Sequence, residues 1–184
     1  MNNPSSLRVM LKNGGSIAGE TEEKLIVKIP KKRDLNMPAF EIKQIRFEDY
    51  PACAAVFGGN CLFAGTCLQQ QKEKNREAYA LYVNGEIAAE CHLVYNNPEY
   101  GTVPGQRVYF SRMVTRKEYR RRGFGEKIVR FILDLAKEKG YREIALGVNC
   151  DNFAALHLYR ELGFSVYETA KDDYGEYYKM ERTL

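Results

Sequence analysis

From residue 40 onward, apolar and polar positions fall into short alternating runs and longer runs with helical spacing. Phe40, Ile42, Gln44, Ile45 and Phe47 predict a first strand leading into Glu48-Asp49, a helix start. Tyr50–Phe57 is apolar enough for a short helix, broken by Gly58-Gly59, and a second, more polar helix is expected within Asn60–Arg76 after Gly65-Thr66. Ala78–Val83 and Glu86–Tyr95 read as strands joined by Asn84-Gly85, a dipeptide that suits a tight hairpin because both residues tolerate positive φ. Asn96–Gln106, with two prolines and two glycines, must be a loop. Arg107–Thr115 and Arg142–Val148 are predicted strands flanking a helix, Glu126–Lys139. Its Ile128, Phe131, Ile132, Leu135 and Ala136 are expected to form one buried apolar stripe. A helix beginning at Asn152 and two last strands, Ser165–Ala170 and Tyr177–Arg182, complete the order β-α-α-β-β-β-α-β-α-β-β. That order predicts an α/β protein built on a mixed sheet with helices on both faces.

Residues 1–38 stand apart as an N-terminal extension to a domain spanning 39–184. Leu7–Lys12 and Leu25–Ile29 are weak strand signals with Asn13-Gly14-Gly15 between them as a turn. Pro30, Lys31-Lys32-Arg33 and Pro38 then read as a linker. The segment is either a flexible arm or an extra hairpin.

The chemistry concentrates at Tyr119-Arg120-Arg121-Arg122-Gly123-Phe124-Gly125, between the strand ending at Thr115 and the helix containing Glu126. A helix N-terminus presents free backbone N–H groups and the positive end of the helix dipole, and glycines permit close approach of a ligand. Three arginines at a helix start oppose that dipole, which favours an anion arriving from outside. The stretch lacks the Lys-Ser/Thr ending of a P-loop and the three glycines of a dinucleotide fingerprint. Further on, Asn152-x-x-Ala155-x-x-x-Tyr159-x-x-Leu162-Gly163-Phe164 follows the apolar run Ile144–Val148.

Together these two stretches resemble the GNAT superfamily of acyl-CoA-dependent N-acyltransferases, specifically over residues 107–164 and more loosely over about 40–184. Lys117 stands where a proline is frequent in that family, and Thr115 where a valine is frequent. The resemblance implies a GNAT-like fold in which the strand pair 107–115 and 142–148 splays apart to admit the cofactor. It implies acetyl-CoA (coenzyme A) as co-substrate, no metal, and direct transfer of the acetyl group to a primary amine in a ternary complex. Backbone N–H groups near Arg121, Gly123, Gly125 and Glu126 would hold the pyrophosphate, with Arg120, Arg122 and Phe124 in the same turn. Met113, Val114 and Thr115 would line the pantetheine arm, Met113 and Thr115 pairing with it as with an added strand. A backbone N–H near Met113 would stabilise the oxyanion. Asn152 and Ala155 would contact the pantetheine region, Asn152 being equally suited to capping its helix. Tyr159, on the same helix face, would protonate the departing thiolate.

The general base is not named by the sequence. Glu90 and His92 share one face of a strand, with Tyr109 and Ser111 on its expected neighbour able to hold a water; a water chain with no single side chain as base is the leading expectation, and among side chains Glu90 comes before His92. His157 lies off the active face and reads as structural, as do Gly163-Phe164, a glycine helix stop with an aromatic anchor. The acceptor site would be built from the first two helices, the Asn96–Gln106 loop and the last strands, including 58–65 and 172–176. The acceptor is open between small-molecule and peptide amines. A non-catalytic acetyl-CoA sensor is the alternative function.

Composition narrows this reading in three respects. Of the formal charge of +4, residues 1–38 contribute seven basic and four acidic side chains, leaving 21 basic against 20 acidic in the remainder. A nearly neutral domain with a local arginine cluster suits a polyanionic cofactor better than a nucleic acid, which needs a broad basic face. No apolar run approaches membrane-spanning length, and the first residues lack a secretory signal layout. Five cysteines, Cys53, Cys61, Cys67, Cys91 and Cys150, form no Cys-x-x-Cys pair and read as reduced thiols. A cytoplasmic protein without membrane association is expected, and a homodimer remains open.

Overall fold

The computed structural model describes residues 16–20, 25–28, 38–50, 53 and 61–184. It divides into two compact units, Met1–Pro38 and Ala39–Leu184. In the first, β1 (Ser16–Glu20) pairs antiparallel with β2 (Leu25–Lys28). The expected strand at 25–29 is therefore present, but its partner is 16–20. The expected Asn13-Gly14-Gly15 turn lies outside the described residues. Leu7–Lys12 lies outside the described residues.

The second unit is a seven-stranded sheet in the order β3-β4-β5-β6-β7-β9-β8. Its strands are β3 (Phe40–Ile45), β4 (Arg76–Val83), β5 (Glu86–Val94), β6 (Arg107–Thr115), β7 (Glu143–Asn149), β8 (Ser165–Asp172) and β9 (Gly175–Thr183). Among the described strands only β6 and β7 are parallel, and the helix α2 (Phe124–Glu138) connects them. Helix α1 (Cys61–Lys72) lies between β3 and β4 in sequence, and α3 (Phe153–Glu161) between β7 and β8. Of the expected helix Tyr50–Phe57, Tyr50 and Cys53 are described, with backbone bonds from their amides to Arg46 and Asp49. The rest lies outside the described residues.

Side-chain alternation assigns the two sheet faces. On β4, Tyr79 meets Phe131 of α2 edge-on at 5.2 Å, while Ala78 and Ala80 cluster with Tyr50, Cys53 and Cys67 of the α1 side. Helix α2 buries Ile128, Val129, Ile132, Leu133 and Ala136, the four larger side chains contributing about 1–3 kcal/mol each, while Phe131 and Leu135 of the expected stripe are half-buried. The helix begins two residues earlier than its stripe suggested, because Gly123 caps it in the left-handed conformation. On the α1 side, the loop 96–106 lays Tyr100 over the sheet. Its ring stacks on Tyr109 at 3.9 Å and joins Ala145 and Tyr177 in a second core cluster. A methyl group at Gly147 would run into Tyr100 Oη, so the loop reaches the sheet only because β7 carries glycine there.

Turn chemistry sets the remaining boundaries. Asn84 and Gly85 both have positive φ, 52° and 82°, which matches the twist of the β4–β5 hairpin. Helix α3 ends in a Schellman motif: Phe164 N–H donates to Tyr159 O at 3.0 Å and Gly163 N–H to Arg160 O at 3.0 Å, with Gly163 at φ 83°. The ring of Phe164 then packs on Tyr159 at 5.6 Å. A Cβ at Gly163 would meet nothing closer than 3.8 Å, so its cost is backbone strain rather than collision. Gly163→Ala is expected to lower unfolding free energy by about 1–2 kcal/mol in urea titrations, with the slope unchanged.

Candidate functional site

Strand β6 changes character after Phe110. It pairs with β7 from Arg107↔Glu143 to Phe110↔Leu146, and beyond that point the two strands part. On its other side, Glu90 of β5 faces Val114 and His92 faces Ser111. Two residues of β6, Arg112 and Met113, thus oppose Cys91 alone, and Arg112 takes a left-handed φ of 50°. This β-bulge turns Arg112 toward the α1 face and Met113 toward α2. A Cβ at Gly125 would stand 2.9 Å from Met113 Cε and 3.3 Å from Thr115 Oγ1. Gly125 therefore lets the first turn of α2 close against the end of β6.

The turn before α2 alternates its backbone handedness. Arg120 is extended (φ −65°, ψ 155°), Arg121 left-handed at φ 59° and Gly123 left-handed at φ 88°. Left-handed residues in such a turn direct successive N–H groups into one concavity, which suits an anion. The arginines are individually placed. Arg120 Nε donates to Thr115 O at 2.9 Å, Arg121 is exposed, and Arg122 lies over the rings of Tyr119 and Phe124 at 5.4 and 5.5 Å. The ring of Phe124 is fully buried, packed edge-on to Phe40 and Tyr119, so only its backbone faces the turn. Glu126 pairs with Arg130 at 2.9 Å.

On the α2–α3 side of the gap stands Tyr159. Its ring is 5% exposed and meets Phe110 and Phe164 edge-on at 6.2 and 5.6 Å. Burial, then the neighbouring Cys91 and Tyr109, push its phenol above the ordinary value, so it stays protonated. Asn152 caps α3, its side-chain oxygen accepting from Ala155 N–H at 3.2 Å. The three residues grade along one face, Asn152 exposed, Ala155 half-buried and Tyr159 buried. His157 is exposed and 3.8 Å from Glu161.

The α1 face carries the charge. The buried polar side chains among the described residues, Arg76, Glu90, His92, Ser111 and Lys179, all project to this face. Glu90 Oε1 accepts from Arg112 Nε at 2.7 Å and stands 2.7 Å from His92 Nε2, whose N–H is off the line between them. Among the described residues, Glu90 Oε2 has no hydrogen-bond partner, and neither has the buried Tyr50 Oη, whose ring meets His92 at 5.6 Å. Arg76 Nη1 is 2.7 Å from His92 Nδ1, and Arg76 Nε donates to Gln70 Oε1 at 2.8 Å. Burial pushes the Glu90 carboxyl up, but His92 and Arg112 outweigh it and hold it below its usual range. Burial lowers His92 to about 4, against the pull of Glu90.

Some expected features take a local role. Asp172 Oδ1 accepts from Tyr174 N–H at 2.8 Å, so the acidic stretch 172–176 is a hairpin tip stabilised by an Asx turn. Residues 58–60 and the side chains at 61–64 lie outside the description. Cys53, Cys67, Cys91 and Cys150 are free thiols. Among the described residues no cluster is arranged to hold a metal ion, and no helix is long and apolar enough to cross a membrane. Arg76, Arg112 and Tyr50 were missed from the sequence. The signal for Arg112 was a lone charge inside the apolar run Val108–Val114, where alternation alone does not reveal a bulge.

The gap between β6 and β7, the concavity at 121–123 and the close packing at Gly125 fit an extended ligand that carries phosphate at one end. Residues 39–164 match the model of the acetyltransferase (GNAT) family. N-alpha-acetyltransferase 30 of Schizosaccharomyces pombe is 39% identical over 62 residues, 34% of this chain and 41% of that protein. Thialysine N-epsilon-acetyltransferase of Bos taurus is 34% identical over 88 residues, 47% of this chain and 52% of that protein. The chain thus spans about half the length of these curated relatives. The ribosomal-protein-S18-alanine N-acetyltransferase from Escherichia coli superposes with a TM-score of 0.66 at 21% identity, over 79% of this chain and 94% of that one. A GNAT family acetyltransferase from Elizabethkingia anophelis with acetyl-CoA bound does so with a TM-score of 0.55 at 17% identity, over 64% and 82%. At these identities the structural likeness establishes the fold.

The buried neutral imidazole gives a pH signature. An unfolded chain binds a proton at His92 near the ordinary value, whereas the folded chain does so only at about 4. The associated stability is complete above about pH 6.5 and is lost as pH falls toward 4, amounting to roughly 3 kcal/mol. Urea unfolding from pH 7.5 to 4.5 should show this loss, and His92→Gln should remove that share of it.

Proposed function

The chain belongs to the acetyltransferase (GNAT) family, and on that premise we propose that it acetylates a primary amine by direct attack, with Glu90 as base and Tyr159 as acid. The observation that carries the reading is the presence of two features beside β6 on opposite faces of the sheet. One is a buried carboxylate with an unpartnered oxygen, the other a buried phenol kept protonated by its surroundings.

Acetyl-CoA supplies the activated acyl carbonyl. The backbone N–H groups of 121–126 would hold its phosphates, and the β6 edge at Met113, Val114 and Thr115 would lie along its pantetheine arm. Glu90 Oε2 takes one proton from the acceptor's ammonium, freeing the nitrogen lone pair for attack. As the C–N bond forms and the C–S bond breaks, Tyr159 gives its phenol proton to the sulfur. The nitrogen's second proton leaves to solvent, which also discharges Glu90 and reprotonates Tyr159, for a net release of one proton. An acid limb set by Glu90 and a protonated Tyr159 suit operation near neutral pH.

The names of the two sequence relatives describe transfer to α- and ε-amino groups, which supports a primary amine as acceptor. The α1 face supports it as well, since the unpartnered Glu90 oxygen is a natural site for an ammonium. Free-thiol release from acetyl-CoA, measured across amino acids, peptides, polyamines and aminoglycosides, should depend on added amine. Tyr159→Phe should lower kcat by about 10²-fold with acetyl-CoA affinity kept. Unchanged turnover in that variant would leave Tyr159 a packing residue.

A further inference from the structure

The polar residues of the α1 face form a chain whose ends differ in chemistry. Gln70 Oε1 accepts from Arg76 Nε, Arg76 Nη1 meets His92 Nδ1 at 2.7 Å, and His92 Nε2 meets Glu90 Oε1 at 2.7 Å. Arg112 Nε closes on the same Glu90 oxygen at 2.7 Å. Around the histidine and the glutamate stand Tyr50 and Cys53 from the helical turn after β3, and Cys67 from α1. Arg76 approaches from β4, and Tyr109, Ser111 and Arg112 from β6.

A guanidinium has five N–H donors and no acceptor. His92 Nδ1 can meet Arg76 at 2.7 Å only by presenting its lone pair, so the ring proton must sit on Nε2. An imidazolium would set two N–H groups against each other at that distance. The neutral ring with Nε2–H is the one form the contact allows, and burial favours the same neutral state. That N–H is 2.7 Å from the Glu90 oxygen already held by Arg112. Oε1 therefore accepts from Arg112 with the His92 N–H beside it, off the bonding line, while Oε2 has no hydrogen-bond partner among the described residues.

We infer that Arg76 and His92 are positioning residues for Glu90: Arg76 fixes the His92 tautomer, the Nε2–H so fixed is set against Oε1 as a positive edge beside the Arg112 bond, and Oε2 is left to face the acceptor. The inference rests on the reading of Glu90 as the base. In the step it serves, an N–H bond of the acceptor's ammonium breaks and an O–H bond forms at Oε2, directly or across one water. The electron pair stays on nitrogen. His92 neither gains nor loses a proton, which separates its role from that of a base. Arg76 would have no part in the chemistry except through the ring it orients.

The chain has two histidines, so the imidazole nitrogens of the 15N-labelled protein can be assigned individually, with the exposed His157 as an internal reference. Long-range 1H–15N spectra of the wild type should show His92 protonated at Nε2 and unprotonated at Nδ1, without titration between pH 5.5 and 8. In Arg76→Gln the ring should show mixed tautomers and titrate closer to the ordinary histidine value. The same variant should lose about tenfold in kcat and shift the acid limb, with KM for acetyl-CoA within about twofold. His92→Gln, which keeps an N–H donor, should retain more kcat than His92→Leu, and this pair decides the matter if Arg76 variants do not fold. An Nδ1–H tautomer in the wild type would overturn the inference. So would an Arg76 variant with an unchanged tautomer and pH profile. The expected tautomer together with silence toward every amine would overturn the transfer reading while leaving the tautomer lock in place.

Discussion

Strand β6 cannot satisfy both of its neighbours along its whole length, and the site grows from how that conflict is resolved. Toward β7 it gives up pairing after Phe110, opening a gap edged by backbone. Toward β5 it keeps pairing by inserting a bulge, with Arg112 forced into a left-handed conformation. Such strain, about 1 kcal/mol or more for a non-glycine residue, persists where the surroundings offset it. Here the offset is the bond from Arg112 to a carboxylate that burial would otherwise drive toward neutrality. The bulge also returns Met113 and Thr115 to the α2 face, where Gly125 receives them.

The two sheet faces consequently do different work. Beneath α2 and α3 the packing is apolar, and Tyr159 sits in it between two aromatic rings. Beneath α1 and the Tyr100 loop the sheet carries every buried charge among the described residues. Removing Arg112 would take the guanidinium from a fully buried carboxylate, and breaking such a buried pair typically costs about 3–5 kcal/mol. The separation places a charged carboxylate and an uncharged phenol on opposite faces of the sheet, each beside β6. The Schellman turn at Gly163-Phe164 serves the arrangement at a distance, because the ring it brings back supports Tyr159.

Much of this was legible in the chain. The β4–β5 hairpin followed from Asn84-Gly85, the α2 stripe from its spacing, and the helix stop from Gly163-Phe164, all of them local signals with local causes. The shared face of Glu90 and His92 followed from the period of a strand. Arg76 and Arg112 did not, for different reasons. Arg76 reaches His92 across a strand pair whose register no single segment specifies, and Arg112 depends on a bulge that inverts the alternation used to read it. At the N-terminus, β2 pairs with 16–20, a segment not singled out by its apolar pattern, while 7–12 lies outside the described residues. The arginine run was read as a positive rim, whereas Arg120 and Arg122 are tied back to β6 and to aromatic rings, leaving the backbone to form the concavity.

The central claim is that the open edge of β6 and the turn before α2 receive one extended, phosphate-bearing ligand. Amide hydrogen exchange on the intact protein, with and without acetyl-CoA, tests it most directly. The account predicts protection confined to the β6 edge at 111–115 and the turn at 121–126, with β4 and β8 unchanged. Binding with protection elsewhere, or with none at these two segments, would contradict it.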